Sequence, residues 1–144
     1  MRRLYISGPF RATGTEAVYG PFTPSIVRRN EDTARRYAEL AWTCGWAVLC
    51  PHLNTAQMDG IPHLTSDTFI SGDLAWLDIM LPNHDAILLL PDWVHSEGAK
   101  IEAQHAARLN LIRIDTREFS FAKVSTILAR LAQEQEGACD VGTG

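Results

Sequence analysis

Short apolar runs alternate with helical patterns along the chain, and this alternation constrains the fold more than any other feature. The clearest run is Ala86–Leu90, which is apolar at every position, as is typical of a parallel strand covered on both faces. The other predicted strands are Leu4–Ser7, Trp46–Cys50 and Leu111–Ile114. Because helical patterns separate these strands, the sequence predicts a three-layer α/β/α sandwich around a parallel sheet.

Four helices are predicted between and after the strands. Ser25 is a suitable N-cap for the first helix, and Gly45 is suited to end it as the glycine beyond the last turn. The remaining helices are predicted at about Ser66–Leu81, Glu97–Leu109 and about Phe119–Gln135. We therefore predict one domain over residues 1–135, followed by a polar, glycine-rich and disordered tail at 136–144.

Composition excludes several classes of partner. The net charge is −4, the pI is near 5.7 and no basic stripe is present, which argues against a nucleic-acid polymer as the ligand. No apolar stretch reaches membrane-spanning length, and the N-terminus lacks a signal-peptide core, so no membrane partner is expected. The three cysteines fit no metal or redox spacing and predict reduced thiols in a cytoplasmic protein. These cysteines are Cys44, Cys50 and Cys139.

Candidate functional residues follow the predicted strands. In open parallel sheets, ligands bind beyond the carboxyl ends of the strands, near the point where the strand order reverses. Ser7-Gly8-Pro9 follows the first strand, Pro51-His52 the second, and Asp92–Gly98 the third. A long segment at Phe10–Pro24 also leaves this edge, and a loop of such length is more often a functional lid than a simple connection.

The stretch Ser96–Glu102 carries the strongest functional signal. Ser96 can cap a helix, and Gly98 lets a ligand approach the first turn, where free N–H groups and the helix dipole favour a phosphate. Glu102 lies one and a half turns later among mostly small helical neighbours, so its carboxylate can face a cavity and act in covalent or acid/base chemistry. The alternative is a simple cap with a glutamate that complements the dipole.

Several weaker candidates each have a structural alternative. Ser7-Gly8-Pro9 with Arg11 suits a phosphate or sugar hydroxyls, but a plain turn also explains it. Asp73 and Asp78 are five residues apart, so only one of them is expected to face the strand ends. Trp93, beside Asp92, can stack on a base or cover the edge of the sheet.

Other polar residues are expected to be structural. Asp85 precedes the third strand at the opposite edge, and Asn30 is expected to fix a loop rather than contact a ligand. The histidines show no paired metal spacing, and no metal is predicted. His52 and His95 lie on loops at the site, where a lone histidine is usually exposed to solvent.

Together these motifs resemble the nucleoside 2-deoxyribosyltransferase-like family, which includes nucleoside 5′-monophosphate N-glycosidases. The resemblance covers Leu4 to about Ile114. It rests on Tyr5-Ile6-Ser7-Gly8-Pro9, Pro51-His52-Leu53-Asn54-Thr55, Asp73-Leu74, Leu89-Leu90-Pro91-Asp92-Trp93 and Ser96-x-Gly98-Ala99-x-x-Glu102. It implies a flavodoxin-like, doubly wound sheet and homodimers or higher homo-oligomers in which a partner completes the site.

The resemblance also implies roles for individual residues. Glu102 is the expected nucleophile that attacks the anomeric carbon, and Asp73 is the expected acid, with Asp78 as a competing assignment because the stretch before the third strand is about one turn longer than usual. Ser96 and Gly98 are expected to bind a 5′-phosphate. The full set of candidate substrate-binding residues is Tyr5, Ser7, Gly8, Pro9, Arg11, His52, Asp92, Trp93, Ser96 and Gly98.

The sequence therefore predicts cleavage of the N-glycosidic bond of a nucleotide or nucleoside, without a cofactor. Such cleavage passes through an oxocarbenium-like state that a carboxylate stabilises, and a second acid protonates the leaving base. Hydrolysis is slightly favoured over transfer to a second base. A non-catalytic module that binds or senses nucleotides is the alternative. A flavin or phosphoryl-transfer protein is less favoured, since the loop after the first strand lacks the Ser/Thr-rich or lysine-bearing character of such sites.

Overall fold

The computed structural model describes residues 1–13, 20–58 and 60–140, with the side chains of 135–140 excepted. In this part of the chain, four parallel strands form one sheet in the order β2-β1-β3-β4. The strands are β1 (Arg3–Ser7), β2 (Ala47–Leu49), β3 (Ala86–Leu89) and β4 (Ile112–Asp115). The helices are α1 (Pro24–Thr43), α2 (Pro51–Asn54), α3 (Ser66–Asp78), α4 (Glu97–Arg108) and α5 (Phe121–Asp140), with a 3₁₀ turn at Trp93–His95.

Successive side chains of β1 and β3 point to opposite faces of the sheet, and both faces are apolar. Helices therefore cover both faces. Leu4 and Ile6 of β1 lie in a core with residues of α1 and α5, whereas Tyr5 lies in a second core with residues of α3 and α4. The predicted three-layer α/β/α sandwich with a Rossmann-like parallel sheet is therefore confirmed. Ser7 shares the face of Tyr5 by the same alternation, which places it beneath α4.

The start of α1 differs from its prediction. The helix begins at Pro24, with Thr23 rather than Ser25 at the N-cap. The Thr23 hydroxyl donates to the Gly20 carbonyl at 3.0 Å. Proline is favoured at the first helical position because it lacks an N–H that the helix would leave unpaired. Gly45 follows the helix with a φ of +92°, as predicted for the glycine beyond a helix end.

Two helices extend into segments that the sequence predicts to be irregular. The short helix α2 occupies Pro51–Asn54, at the start of a predicted loop. Helix α5 continues to Asp140, beyond its predicted end at Gln135, and residues 141–144 lie outside the described residues. Residues 14–19 of the predicted lid also lie outside them.

Asp85 and Asn30 have the structural roles that the sequence predicts. Asp85 is fully buried at the amino end of β3 and accepts hydrogen bonds from the backbone N–H groups of Arg3 and Leu81 at 2.9 and 2.8 Å. Asn30, on the buried face of α1, donates to the Phe10 carbonyl at 3.1 Å. Asn30 therefore fixes the start of the loop that follows β1.

None of the helices in the described part of the chain is long and apolar enough to span a membrane.

Candidate active site

A cavity of about 450 Å³ lies at the carboxyl ends of β1, β2 and β3. The chain passes from β1 outward to β2 on one side and to β3 and β4 on the other. The strand order therefore reverses between β1 and β3, which is where ligands bind in open α/β sheets. The cavity is within the size range of small-molecule sites. Its lining includes Gly8, Phe10, Arg11, His52, Ser66, Phe69, Ile70, Asp73, Ser96, Glu97, Gly98, Ala99 and Glu102.

Glu102 lies in the second turn of α4 with only 8% of its surface exposed, although it lines the cavity. Burial raises the pKa of its carboxyl to about 8, and the nearby charge of Asp73 adds to this shift. The hydroxyls of Ser7 and Tyr5 lie close enough to oppose the shift by stabilising the ionised carboxylate. Neither hydroxyl has a hydrogen-bond partner among the described residues that meets the usual distance and angle limits. Both hydroxyls therefore retain the capacity to donate to the Glu102 carboxylate.

Asp73 lines the same cavity from α3, whereas Asp78 lies outside it. Burial raises the pKa of Asp73 to about 6. Five residues along a helix correspond to a rotation of about 140° around its axis, so Asp78 points away from the cavity. Its side chain is 57% exposed, and its Oδ1 lies 2.6 Å from Nε2 of His105 on α4. Of the two predicted acids, the structure brings only Asp73 close to Glu102.

The carboxyls of Glu102 and Asp73 differ in the pH at which they ionise. Because the pKa of Glu102 is raised further than that of Asp73, a proton shared by the pair resides mainly on Glu102 near neutral pH. Two carboxyls with separated pKa values are a common basis for acid/base chemistry. The arrangement can therefore hold one proton and one negative charge next to a bound molecule.

The N-terminus of α4 forms another wall of the cavity. Ser96 is the N-cap, and its Oγ accepts a hydrogen bond from the Ala99 N–H at 3.3 Å. The helix supplies no acceptor for its first N–H groups, which makes this end suited to an anion. A Cβ added to Gly98 would meet nothing nearer than Cδ1 of Ile70, at 4.0 Å. The space above Gly98 is therefore open to a ligand.

Gly8 also lines the cavity, but glycine is required there for packing rather than to leave space for a ligand. A Cβ at Gly8 would lie 2.5 Å from Cβ of Leu90. The chain of β1 exits against Leu90, whose N–H donates to the Ser7 carbonyl at 2.8 Å. Packing within the fold therefore requires glycine at this position, whether or not a ligand contacts it.

Arg11 lies at the mouth of the cavity, on the loop that follows β1. Its guanidinium hydrogen-bonds the Ser66 hydroxyl at the start of α3 and lies 4.8 Å from the centroid of the Phe22 ring. These contacts place a fixed positive charge in the lining of the cavity. Such a charge suits an anionic group of a ligand.

His52 is buried, with 6% of its surface exposed, so its expected exposure to solvent is wrong. The helix α2 turns the chain inward directly after β2, and Nε2 of His52 lies 2.9 Å from the Pro9 carbonyl oxygen. Burial lowers the pKa of His52, although the bond to Pro9 opposes this shift. His52 lines the cavity directly. Pro9, a predicted ligand contact, instead holds His52 through its carbonyl.

Asp92 and Trp93 do not line the cavity, contrary to their predicted contact with substrate. Asp92 is exposed and adopts a left-handed conformation with a φ of +65° before the 3₁₀ turn. This turn directs Trp93 toward β4, where its Nε1 donates to Asp115 at 3.2 Å. Trp93 is 8% exposed and packs in the core on the α3/α4 side. The structure therefore agrees with the alternative that Trp93 covers the edge of the sheet.

Sequence reasoning missed the apolar part of the lining. Phe10, Phe69 and Ile70 all border the cavity. On α3, Ser66, Ile70 and Asp73 are spaced by four and three residues and so share one face. This spacing, counted back from Asp73, is the signal that could have identified Ser66 and Ile70.

Among residues 1–13, 20–58 and 60–134, no group of three or more His, Cys, Asp or Glu side chains is placed to hold a metal ion.

The fold and the cavity define a Rossmann-like α/β domain with a ligand-sized cleft at the reversal of strand order. The chain belongs to the family described as "Domain of unknown function (DUF4406)", which matches residues 2–114. No curated protein and no solved structure matches the chain significantly. Every described residue that lines the cavity lies within the matched region, whereas α5 lies beyond it.

Proposed function

We propose that this protein cleaves the N-glycosidic bond of a nucleotide or nucleoside, with Glu102 as the nucleophile. One observation carries the proposal: the buried Glu102 carboxyl lines a cavity together with Asp73 and the N-terminus of α4. This set combines a carboxylate for the anomeric carbon, a second acid for the base and an anion site for a phosphate. The resemblance to the nucleoside 2-deoxyribosyltransferase-like family supports the same assignment.

The proposed reaction has two steps. The ionised Glu102 carboxylate attacks C1′ as the C1′–N bond breaks, and the base leaves with the bonding electrons and a proton from Asp73. Water then attacks C1′ of the glycosyl ester, loses its proton to Asp73 and releases Glu102 as a carboxylate. An anionic phosphate at the N-terminus of α4, near Arg11, would hold the sugar in position for both steps.

Substitution of the two acids tests this proposal. We expect Glu102→Gln and Asp73→Asn each to reduce base release from nucleoside 5′-monophosphates by at least about a hundredfold, as is typical for loss of a nucleophile or an acid. Asp78→Asn is the matched control on the same helix, because Asp78 lies outside the cavity, and it should retain activity. Release of free base would be measured by chromatography. Unchanged turnover by Glu102→Gln would overturn the proposal.

A second candidate function is a module that binds or senses nucleotides without cleaving them. The raised pKa of Glu102 favours this candidate, since a protonated carboxyl is a poor nucleophile at neutral pH. Calorimetric titration with the same nucleotides separates the two functions. Tight binding without release of free base would support the sensing module, whereas catalytic turnover would exclude it.

We further propose that water, rather than a second base, is the usual acceptor of the sugar. Supplying a different free base during turnover tests this point, because a transferase would form a new nucleoside or nucleotide. The partial positive charge at the N-terminus of α4 and the positive charge of Arg11 support a phosphorylated substrate. Comparing each nucleotide with its nucleoside would measure the contribution of the phosphate.

We propose that the protein acts in the cytoplasm as a homodimer or higher homo-oligomer. Free thiols at Cys44 and Cys50 support the location. Exposed apolar side chains at Trp42, Trp76 and Ile79 surround a hollow beside the edge strand β2 and support self-association. Sedimentation equilibrium would determine the oligomeric state.

A further inference from the structure

The side chain of Ser7 carries a hydroxyl that packing and secondary structure leave unused. Ser7 ends β1 with only 1% of its surface exposed, and its backbone carbonyl accepts the Leu90 N–H at 2.8 Å. Its Oγ is closed to solvent and has no hydrogen-bond partner among the described residues that meets the usual distance and angle limits. A buried hydroxyl without a partner costs free energy, so the polar group closest to it determines what this side chain does.

The Glu102 carboxyl lies within reach of the Ser7 hydroxyl. The alternation of side chains along β1 places Ser7 on the face of the sheet beneath α4, and Glu102 is a buried residue of that helix. The hydroxyl is close enough to stabilise the ionised carboxylate. Because a carboxylate can only accept, the Ser7 O–H is the donor whenever Glu102 is ionised.

Ser7 and Glu102 differ in their access to the cavity. Glu102 lines the cavity, whereas Ser7 does not. A ligand therefore does not compete with Glu102 for the Ser7 hydroxyl. Since a carboxylate has two oxygens, a donor enclosed beneath α4 binds the oxygen turned toward the sheet and leaves the other for the cavity. The charge on the acceptor makes such a hydrogen bond stronger than one between neutral groups.

Other titratable groups face the Glu102 carboxyl from the elements packed against α4. Asp73 on α3 opposes its ionisation by charge, whereas Tyr5 on β1 supplies a second hydroxyl that favours it. At the end of β2, burial raises the pKa of the Cys50 thiol to about 11, so this thiol is neutral near neutral pH. Ser7 carries no charge in this range, and it acts on Glu102 only as a hydrogen-bond donor.

We propose that Ser7 is a positioning residue, whose hydroxyl donates to the sheet-side oxygen of Glu102, favours the carboxylate and turns the other oxygen toward the anomeric carbon. This inference rests on the proposed function, since it takes Glu102 as the nucleophile. The same hydrogen bond stabilises the Glu102 carboxylate when it leaves the glycosyl ester in the second step. Without this bond, the carboxyl keeps its proton to higher pH and is free to rotate.

The kinetic test compares two variants that each lose one buried hydroxyl. Ser7→Ala removes the proposed donor, and Thr116→Val is the matched control. Thr116 Oγ1 is also buried without a partner among the described residues, but Thr116 follows β4 and does not line the cavity. We expect Ser7→Ala to lower kcat for base release from nucleoside 5′-monophosphates by about tenfold or more near neutral pH, as for loss of one hydrogen bond to a charged group. Its KM should stay unchanged, because Ser7 does not touch the ligand.

The control variant and the pH profile separate this role from a structural one. Thr116→Val should change neither kcat nor KM, and an equal fall in kcat in both variants would overturn the inference. The limb of the profile expected near pH 8 for Glu102 should move up by about one pH unit in Ser7→Ala, since the ionised form has lost a donor. A fall in kcat without this movement would show only a structural defect and would also overturn the inference.

A second measurement does not depend on turnover. In protein labelled with ¹³C at the glutamate carboxyls, the signal of Glu102 is assigned by its loss in Glu102→Gln. The midpoint of its titration should rise by about one pH unit in Ser7→Ala and stay unchanged in Thr116→Val. An unmoved midpoint in Ser7→Ala would reject the contact and leave the proposed function standing. A raised midpoint in a protein that releases no base from any nucleotide would overturn the proposed function, and the role of Ser7 in catalysis would fail with it.

Discussion

At the scale of single residues, the environment of Glu102 sets the pKa of its carboxyl and, through that pKa, its effect on the stability of the fold. Its carboxyl is buried beside Asp73, which raises its pKa to about 8, while Tyr5 and Ser7 favour the ionised form. The sequence predicts Glu102 as the central residue from helical spacing and small neighbours. It does not predict the contacts with Tyr5 and Ser7, because these come from a strand far away in the chain.

The first prediction concerns the pH dependence of turnover. The proposed attack needs ionised Glu102 and protonated Asp73, whose pKa values are raised to about 8 and about 6. We expect kcat/KM to rise and fall in a bell-shaped profile with limbs near these values. The active form is the minor one, since the proton prefers Glu102. Initial rates across this range would check the prediction, and a flat profile would contradict it.

The second prediction concerns the pH dependence of stability. The pKa of Glu102 is raised from 4.5 to about 8 in the folded protein, so the folded state binds a proton more tightly than the unfolded state. This stabilisation is complete below about pH 4.5 and is lost as the pH rises toward 8. We expect Glu102→Gln to exceed the wild-type stability at pH 8 by on the order of 4 kcal/mol. The difference should shrink toward pH 4.5.

Urea unfolding of both proteins at pH 5 and pH 8 measures this effect. Asp78→Asn is the control, because its carboxyl is largely exposed and should not contribute to a pH-dependent difference of this size. An equal dependence on pH in wild type and Glu102→Gln would show that burial of Glu102 does not destabilise the fold.

At the scale of elements, α4 combines an anion site and a carboxyl on one rigid helix. Its N-cap Ser96 bonds Ala99, and Gly98 leaves open space at the first turn. The sequence predicts this helix and its cap because both depend on local residues. The same local reasoning misplaced Trp93, since the direction of the turn before α4 depends on its packing against β4 and Asp115.

The third prediction compares two glycine substitutions. A Cβ at Gly98 meets no atom nearer than 4.0 Å, and a Cβ at Gly72 on α3 meets none within 4 Å. Both alanine variants should therefore fold, with a gain of up to about 1 kcal/mol from helix propensity. Gly98→Ala should raise KM for nucleoside 5′-monophosphates by about tenfold or more, because its methyl group occupies the space proposed for the phosphate. Gly72 is exposed and does not line the cavity. Gly72→Ala should therefore leave KM unchanged.

Steady-state kinetics and thermal unfolding of the two variants would check this prediction. An equal KM in Gly98→Ala and wild type would place the anionic group elsewhere in the cavity.

At the scale of the whole molecule, the strand order decides where the cavity forms and what supports it. The reversal between β1 and β3 opens the cleft, and α1 and α5 support the sheet from the opposite face. Helix α5 lies beyond the matched family region, yet its Val124 and Leu128 are fully buried. The Trp46 indole also donates to the Leu128 carbonyl at 2.9 Å. The domain therefore needs more of the chain than the part that lines the cavity.

The fourth prediction tests this requirement by truncation. A chain that ends at Ser120 lacks α5 and exposes the core around Leu4, Trp46 and Leu88, so we expect it to lose cooperative unfolding. A chain that ends at Asp140 retains α5 and should unfold like the full-length protein. Circular dichroism during thermal unfolding measures both. A cooperative transition in the shorter chain would show that α5 is dispensable.

The alternation of apolar runs and helical patterns is a local property, and it was sufficient to predict the layered fold, the parallel strands and Glu102 on α4. The sequence also placed Asp73 and Asp78 on one helix, but only packing against α4 decided that Asp73 faces the cavity and Asp78 faces His105. In the same way, tertiary contacts buried His52 against Pro9 and turned Trp93 away from the cleft. Local patterns depend on neighbouring residues in the chain, whereas the direction of a side chain at a strand end depends on elements distant in sequence.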